Sequence, residues 1–307
     1  MKAAKTLMKM DEEDIRILMA VELGMRKFKM VPVNHVAFYA RYNMEETQYH
    51  LDRAHKFGVL QRSQEPNIGY CLNSEGYDVL ALHALHEKGI ITSIGPSLGR
   101  GKESDVYRCL TPDDTEVAAK IHRLGQTSFR NVKKLRNYID GRKHISWLYM
   151  SRLSAAREFK GISKLNNLSL DVNVPTVRSQ NRHIVVMDIF QGEEIIKFDF
   201  LNNPEDKFND IIRQYKIFYG KAHMIHGDMG EFNILLDPND DIMIIDWPQW
   251  EDWNHPNAHE LITRDITNVC LFFEKRYQIH SDIVEIVNDV MALNPNYEKH
   301  PENSFEE

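Results

Sequence analysis

Three side chains in the C-terminal half of the chain have the types and spacing of a phosphoryl-transfer site. His226-Gly227-Asp228 is followed, five positions after the aspartate, by Asn233. Ile245-Asp246-Trp247-Pro248-Gln249 then places a second aspartate at the end of an apolar run. In such a pair of blocks the first aspartate orients or deprotonates a nucleophile. The asparagine and the second aspartate hold Mg²⁺ (or Mn²⁺) on the phosphates of ATP. Either block alone is a weak signal. The two in order, behind the residues described next, make a specific one.

A glycine loop lies upstream. Gly99-x-Gly101-x-x-Ser104-x-Val106 resembles a kinase-type phosphate loop, with Ser104 where a third glycine is usual. Closely spaced glycines let backbone N–H groups approach phosphate oxygens without a Cβ between them. Lys102 is followed by Glu103, which excludes a Walker A loop. A plain hairpin turn is the competing reading. Val117-Ala118-Ala119-Lys120 ends a strand whose lysine would reach the α- and β-phosphates. Its carboxylate partner is expected to be Glu158, in Ala155-Ala156-Arg157-Glu158-Phe159, unless Glu158 is an ordinary surface residue of a helix. Met187-Asp188-Ile189-Phe190 would form a short linker. The Asp188 carbonyl and Phe190 amide there would face an adenine ring; a simple strand end is the alternative.

Other elements must position these groups. Asp11-Glu12-Glu13-Asp14 opens a helix whose inner face is read as Ile15, Leu18 and Met19. A second helix follows Pro32, and Asn43 caps a third, with Leu51, Ala54 and Phe57 facing in and Gly58 as terminator. Two short strands, 59–62 and 69–72, flank a turn with Pro66 and Asn67, and a fourth helix runs over 74–88. Three helices and a hairpin predict a winged helix-turn-helix, in which Arg41, His50, Arg53, Lys56 and Arg62 could touch phosphates. Residues 1–93 hold twelve Lys/Arg and twelve Asp/Glu, so net charge gives nucleic acid no advantage over a protein partner.

From Ile90 the pattern turns to strands: 90–98, a second ending at Leu110, and 117–121 after a turn at Pro112. Another buried strand is expected over 184–187 and a shorter one over 242–245. Helices are expected where Phe208, Ile212, Tyr215 and Tyr219 share a face, where Ile262, Ile266, Val269 and Phe273 do, and over 283–291. The predicted fold class is α+β. A winged helix over 1–90 precedes a reduced two-lobed protein-kinase-like fold, with the N-lobe over 91–190 and the C-lobe over 191–307.

Composition sets the limits. The chain has 307 residues, 42% hydrophobic and 27% charged, with a formal charge of −7, so nucleic-acid contact would need a local patch. Residues 121–147 supply one, with seven Lys/Arg against the single acid Asp140. That segment would contact RNA, reach over bound ATP, or do both; an ordinary solvated loop is the alternative. Three scattered cysteines argue for a reducing compartment, and with no long apolar run no membrane partner is expected. The cytoplasm is the expected location. His83-x-x-His86 and His255-x-x-x-His259 have metal-like spacing but no third ligand, so zinc is not expected.

Together, Gly99-Arg100-Gly101-Lys102-Glu103-Ser104 with Val106-Tyr107, His226-Gly227-Asp228-x4-Asn233 and Ile245-Asp246-Trp247-Pro248-Gln249 resemble the RIO atypical kinases. The N-terminal winged helix and His259-Glu260-Leu261-Ile262-Thr263-Arg264-Asp265 are similar to the second, winged-helix subgroup. The resemblance spans nearly the whole chain. It implies a reduced kinase fold that binds ATP and Mg²⁺ and acts in maturation of the small ribosomal subunit, in contact with precursor rRNA and proteins. It also implies serine autophosphorylation, and an ATPase switch with an aspartyl-phosphate on the metal-binding aspartate, here Asp246. Sixty-one residues follow Asp246 without an Ala-Pro-Glu block, which predicts little room for a peptide platform; the lack of a long eukaryotic-style C-terminal extension favours an archaeal source. An aminoglycoside- or choline-type phosphotransferase shares the aspartate blocks but would lack the winged helix and Gly-Lys-Glu-Ser. A non-catalytic RNA-binding assembly factor would not need Lys120, Asp228, Asn233 and Asp246.

Overall fold

The computed structural model describes residues 1–63, 68–124 and 147–295. The chain forms two compact units, Met1–Ala156 with Arg178–Ile189, and Arg157–Val177 with Phe190–Glu307.

The first unit opens with helices α1 (Lys2–Leu7) and α2 (Glu12–Gly24). The four acids start α2 through a reciprocal box: the Asp11 carboxylate accepts from the Asp14 N–H, and the Asp14 carboxylate from the Asp11 N–H. The buried face of α2 includes Ile15, Ile17, Leu18 and Val21, while Met19 is 41% exposed and so does not face in as expected. The reason is tertiary, because α2 packs against both α3 (Val33–Ala40) and α4 (Met44–Lys56). Asn43 caps α4 by accepting from the Glu46 N–H at 2.8 Å. Strands β1 (Val31–Pro32), β2 (Leu60–Ser63) and β3 (Gly69–Leu72) pair antiparallel in the order β1-β3-β2, and α5 (Ser74–Glu87) follows. This is the expected winged helix. The turn with Pro66 and Asn67 lies outside the described residues.

Its basic residues are less available than the sequence implies. His50 is buried, with Nδ1 2.8 Å from Asp14 Oδ1. Arg53 pairs with Asp11 and lies 3.4 Å from Asp14; Arg62 lies 3.9 Å from Asp52. Arg41 and Lys56 are exposed. Asp11, Asp14 and His50 bring three ligand-type atoms within 4.8 Å of one another, but Arg53 already supplies the positive charge there.

The same unit contains a five-stranded sheet, β4 (Ser93–Arg100), β5 (Ser104–Leu110), β6 (Glu116–His122), β7 (Val177–Asn181) and β8 (Ile184–Asp188), in the order β4-β5-β6-β8-β7. The apolar run from Ile90 divides: Ile91 is buried, but β4 begins at Ser93 and is a largely exposed edge. Pro96, which lacks an N–H, suits that edge, and the β4–β5 register shifts on both sides of Ser97. Tyr107, Cys109, Val117, Ala119, Ile121, Ile184 and Val186 share one buried cluster with the winged-helix core.

In the second unit, the C-terminal part of α6 (Trp147–Asn167) accompanies α7 (Pro204–Gly220), α8 (Ala258–Tyr277) and α9 (Ile283–Met291). A small sheet has the order β12-β11-β9, formed by β9 (Glu193–Glu194), β11 (Ile234–Leu236) and β12 (Ile242–Ile244); β10 (Met224–Ile225) pairs with β13 (Glu251–Asp252). The helical faces read from the sequence are the buried ones: Phe208, Ile212, Tyr215 and Tyr219 on α7, and Ile262, Ile266, Val269 and Phe273 on α8. Trp247 is fully buried among them, against the Phe218 ring at 4.8 Å. Among the described residues no helix is long and apolar enough to cross a membrane.

Candidate active site

In the first unit, the glycine loop is the turn between β4 and β5. Gly99 pairs with Val106 and Arg100 with Asp105, and the Gly101 N–H donates to the Ser104 carbonyl at 2.8 Å. Gly101, Lys102 and Glu103 are exposed at its tip. A Cβ on Gly99 would meet nothing within 4 Å, so the chain is uncrowded at that position. The segment is thus a hairpin turn, as the competing reading has it, with its tip exposed. Register does the next step: Val106 lies opposite Lys120, which puts the lysine beside the loop in a buried position. On the other side of β6, Ala118 lies opposite Met187 and Val117 opposite Asp188. The Asp188 carboxylate pairs with Arg178, so only its backbone carbonyl is a candidate for a base edge. Phe190 is half-buried in the second unit.

The second unit gathers Asp228, Asn233, Asp246 and Glu158. Asn233 Nδ2 donates to the Asp228 carbonyl at 2.7 Å, and the Ile245 N–H donates to the Asn233 carbonyl at 2.9 Å. Glu158, 1% exposed, accepts from the Trp247 N–H at 3.4 Å, which ties it to the residue after Asp246. Asp246 has φ +67°, a left-handed backbone that costs a non-glycine residue about 1 kcal/mol. Aspartate is among the side chains that tolerate this region, so the turn keeps a carboxylate at the end of the apolar run. Oxygen donors from an asparagine and an aspartate suit a hard cation such as Mg²⁺.

Gly227 has φ +79°, and a Cβ there would fall 2.5 Å from the Gln249 carbonyl. Glycine therefore allows the Asp228 loop and the Asp246 segment to touch. Gln249 reaches back across the same contact, Nε2 to Asp228 Oδ2, at 3.2 Å. His226 locks the pair from below. Its Nδ1 accepts from the Asp228 N–H at 3.3 Å, so Nε2 carries the proton and donates to the Ile245 carbonyl at 3.0 Å.

Sequence reasoning misses the anchor of this loop. Asp265 on α8 is fully buried and accepts from the Gly227 N–H at 2.8 Å, the Met229 N–H at 3.1 Å and the Tyr215 hydroxyl at 2.9 Å. Arg264 donates to the Gly227 carbonyl, and Asn268 to the Met229 carbonyl at 3.0 Å. A signal is present: Asp265 sits within the apolar stripe of Ile262, Ile266 and Val269, where an acid must have buried partners.

Burial pushes the Asp265 carboxyl up to about 6, while the bonds from Gly227, Tyr215 and Met229 oppose a larger rise. The folded value lies above the unfolded one, so stability from this group is full at pH below 3.8 and is lost as pH rises through about 6. Denaturant titrations of wild type and Asp265→Asn should therefore differ with pH. The wild-type advantage should shrink by about 1 kcal/mol between pH 5 and pH 7.5. A constant difference would mean that Asp265 has an ordinary carboxyl.

Comparison with known proteins agrees with this geometry. Residues 105–286 match the RIO domain family, and residues 7–88 match the family described as Rio2, N-terminal. The RIO-type serine/threonine-protein kinase Rio2 of Methanocaldococcus jannaschii is 42% identical over 263 residues, covering 84% of this chain and 94% of that protein. The serine/threonine-protein kinase rio2 of Dictyostelium discoideum is 37% identical over 89% of this chain, but the chain spans only 52% of it. A solved structure, the Rio2 kinase–ADP/Mg²⁺–phosphoaspartate complex from Chaetomium thermophilum, superposes with a TM-score of 0.79. It is 31% identical and covers 92% of this chain and 88% of its own. The glycine hairpin beside Lys120, the interlocked Asp228 and Asp246 segments and these matches lead to one assignment: the chain belongs to the RIO family of atypical serine/threonine kinases, in the branch with a Rio2-type N-terminal domain.

Proposed function

We propose that this chain is an ATP- and Mg²⁺-dependent kinase and ATPase that transfers the γ-phosphoryl group of ATP to its own Asp246. The observation that carries the proposal is Asp246 itself, held with φ +67° and bonded through its neighbours Ile245 and Trp247 to Asn233 and Glu158. The phosphoaspartate named for the Chaetomium thermophilum structure gives the reaction a precedent.

The roles follow from chemistry. Backbone amides of the loop from Gly99 to Ser104, with Lys102, Glu103 and Val106 as its walls, hold the phosphates, and Lys120 takes the α- and β-phosphates. Glu158 is the carboxylate that Lys120 needs. Met187, Asp188 and Phe190 flank the adenine. Asn233 and Asp246 hold Mg²⁺, which supplies neutralisation of charge developing on the phosphates. An Asp246 oxygen attacks the γ-phosphorus, the bond to the β,γ-bridging oxygen breaks, and ADP leaves. Asp228 orients a water, or a serine hydroxyl, and takes its proton as the acyl phosphate or ATP is attacked.

In biological terms, we place the reaction in maturation of the small ribosomal subunit. Precursor rRNA and proteins are the partners, and the cytoplasm is the setting. The support is the resemblance together with the basic content of residues 121–147, of which 125–146 lie outside the described residues. The division into a winged helix over 1–90, an N-lobe over 91–190 and a C-lobe over 191–307 belongs to the same proposal. Neutralising the basic residues of 130–143 should weaken binding to small-subunit precursors and flatten its dependence on salt. The log-log slope should fall by about one unit for each phosphate that is no longer neutralised. Unchanged affinity and slope would remove that segment from the RNA interface. Phosphorylation of an added aminoglycoside in place of self-labelling would turn the assignment to a small-molecule phosphotransferase.

A further inference from the structure

Arg123 is one of the seven basic residues of the 121–147 stretch, yet its charge is directed inward. Its Nη1 and Nη2 donate to the two carboxylate oxygens of Asp78 at 2.6 and 2.7 Å, and its Nε donates to Asp105 Oδ2 at 3.2 Å. Its backbone N–H donates to the Glu103 carbonyl at 2.6 Å. Asp78 lies on α5, the last helix of the winged helix, and is 3% exposed. Glu103 and Asp105 flank Ser104, on the β5 arm of the glycine hairpin. One residue thus grips that arm by backbone and side chain and fastens it to a buried carboxylate of the winged helix.

The far end of the clamp is also fixed. His183 Nε2 lies 2.7 Å from Asp78 Oδ1, and the His183 ring stacks on Tyr77 at 4.7 Å. Arg182 adds bonds to Glu22 of α2 and to the Leu80 carbonyl of α5. By contrast, β4 is an exposed edge with shifted register, and the tip is closed by the Gly101–Ser104 bond. The hairpin arm leans on β6 and on Arg123. Lysine could not replace this arginine, because a planar fork with a third N–H meets two carboxylates at once.

We infer that Arg123 is a positioning residue through which Asp78 of the winged helix sets the geometry of the glycine loop, and with it the affinity for the nucleoside triphosphate. A partner that displaced α5 would thereby change nucleotide affinity without touching the site. The affinity part of this inference rests on the nucleotide-binding reading above; the clamp itself does not.

The test uses the full chain with Arg123→Met, Arg123→Lys and Asp78→Asn. Hydrogen exchange of the amides from Gly101 to Asp105 should quicken roughly tenfold in Arg123→Met and Asp78→Asn without any ligand. The KM for ATP should rise roughly tenfold in both, with kcat within about twofold of wild type, and Arg123→Lys should recover only part of the loss. Unchanged exchange over 101–105 in Asp78→Asn would overturn the clamp. Quickened exchange with KM unchanged, or with kcat alone reduced, would reduce Arg123 and Asp78 to structural residues. Wild-type protein that binds no ATP while the variants still show quickened exchange would leave the clamp standing and defeat the nucleotide reading, and with it the affinity inference.

Discussion

Asp246→Ala should abolish Mg²⁺-dependent ATP turnover, lowering the rate by at least about a thousandfold. The substitution removes two things at once, a metal ligand and the nucleophile. Neither Asn233 nor Glu158 can substitute, since both are fixed by their bonds to the neighbouring loop. Asp246→Asn is the informative companion. It keeps a residue tolerant of φ +67° and so preserves the backbone, but an amide does not attack the γ-phosphorus. Steady-state release of phosphate at saturating ATP is the measurement. Turnover within tenfold of wild type in Asp246→Asn would mean that the phosphate goes elsewhere.

Asp228→Ala should lower kcat by roughly 10²- to 10⁴-fold, the usual worth of a positioned acid–base group, while the KM for ATP stays within a few-fold. The split follows from the structure. Asp228 sits in the loop anchored by Asp265 and Asn268, and the glycine hairpin that would bind the phosphates belongs to a different strand pair. The backbone of the loop should persist in the variant, because Asn233 bonds to the carbonyl of residue 228 and not to its side chain. Equal loss in kcat and gain in KM would instead indicate that the loop had collapsed.

The sequence is most legible where chemistry is local. The glycine hairpin, the Val-Ala-x-Lys strand and the blocks around Asp228 and Asp246 each carry their meaning within a few residues, and strand register then brings Lys120 to Val106. Amphipathic helices are legible for the same reason, since α7 and α8 bury one continuous stripe. The misses are non-local. α1 is six residues long with no side-chain cap, and burial of Ala3 and Thr6 holds it. His50 reads as a surface base until α2 places Asp14 against it, across 36 positions. Asp265 reads as part of a motif, because its three partners come from α7 and from the Asp228 loop. Arg123 reads as one more charge in a basic stretch, because Asp78 is 45 residues away. For His50, Asp265 and Arg123 a polar side chain turns inward to a partner that only the fold supplies.

The central claim is that Asp246 is both metal ligand and phosphate acceptor. Its most direct measurement is a brief incubation of purified protein with γ-labelled ATP and Mg²⁺, an acid quench, and treatment of the isolated protein with neutral hydroxylamine. Label on the wild-type chain that hydroxylamine removes, and that is absent from Asp246→Asn, is the predicted result. Label that resists hydroxylamine, or that persists undiminished in Asp246→Asn, would contradict it.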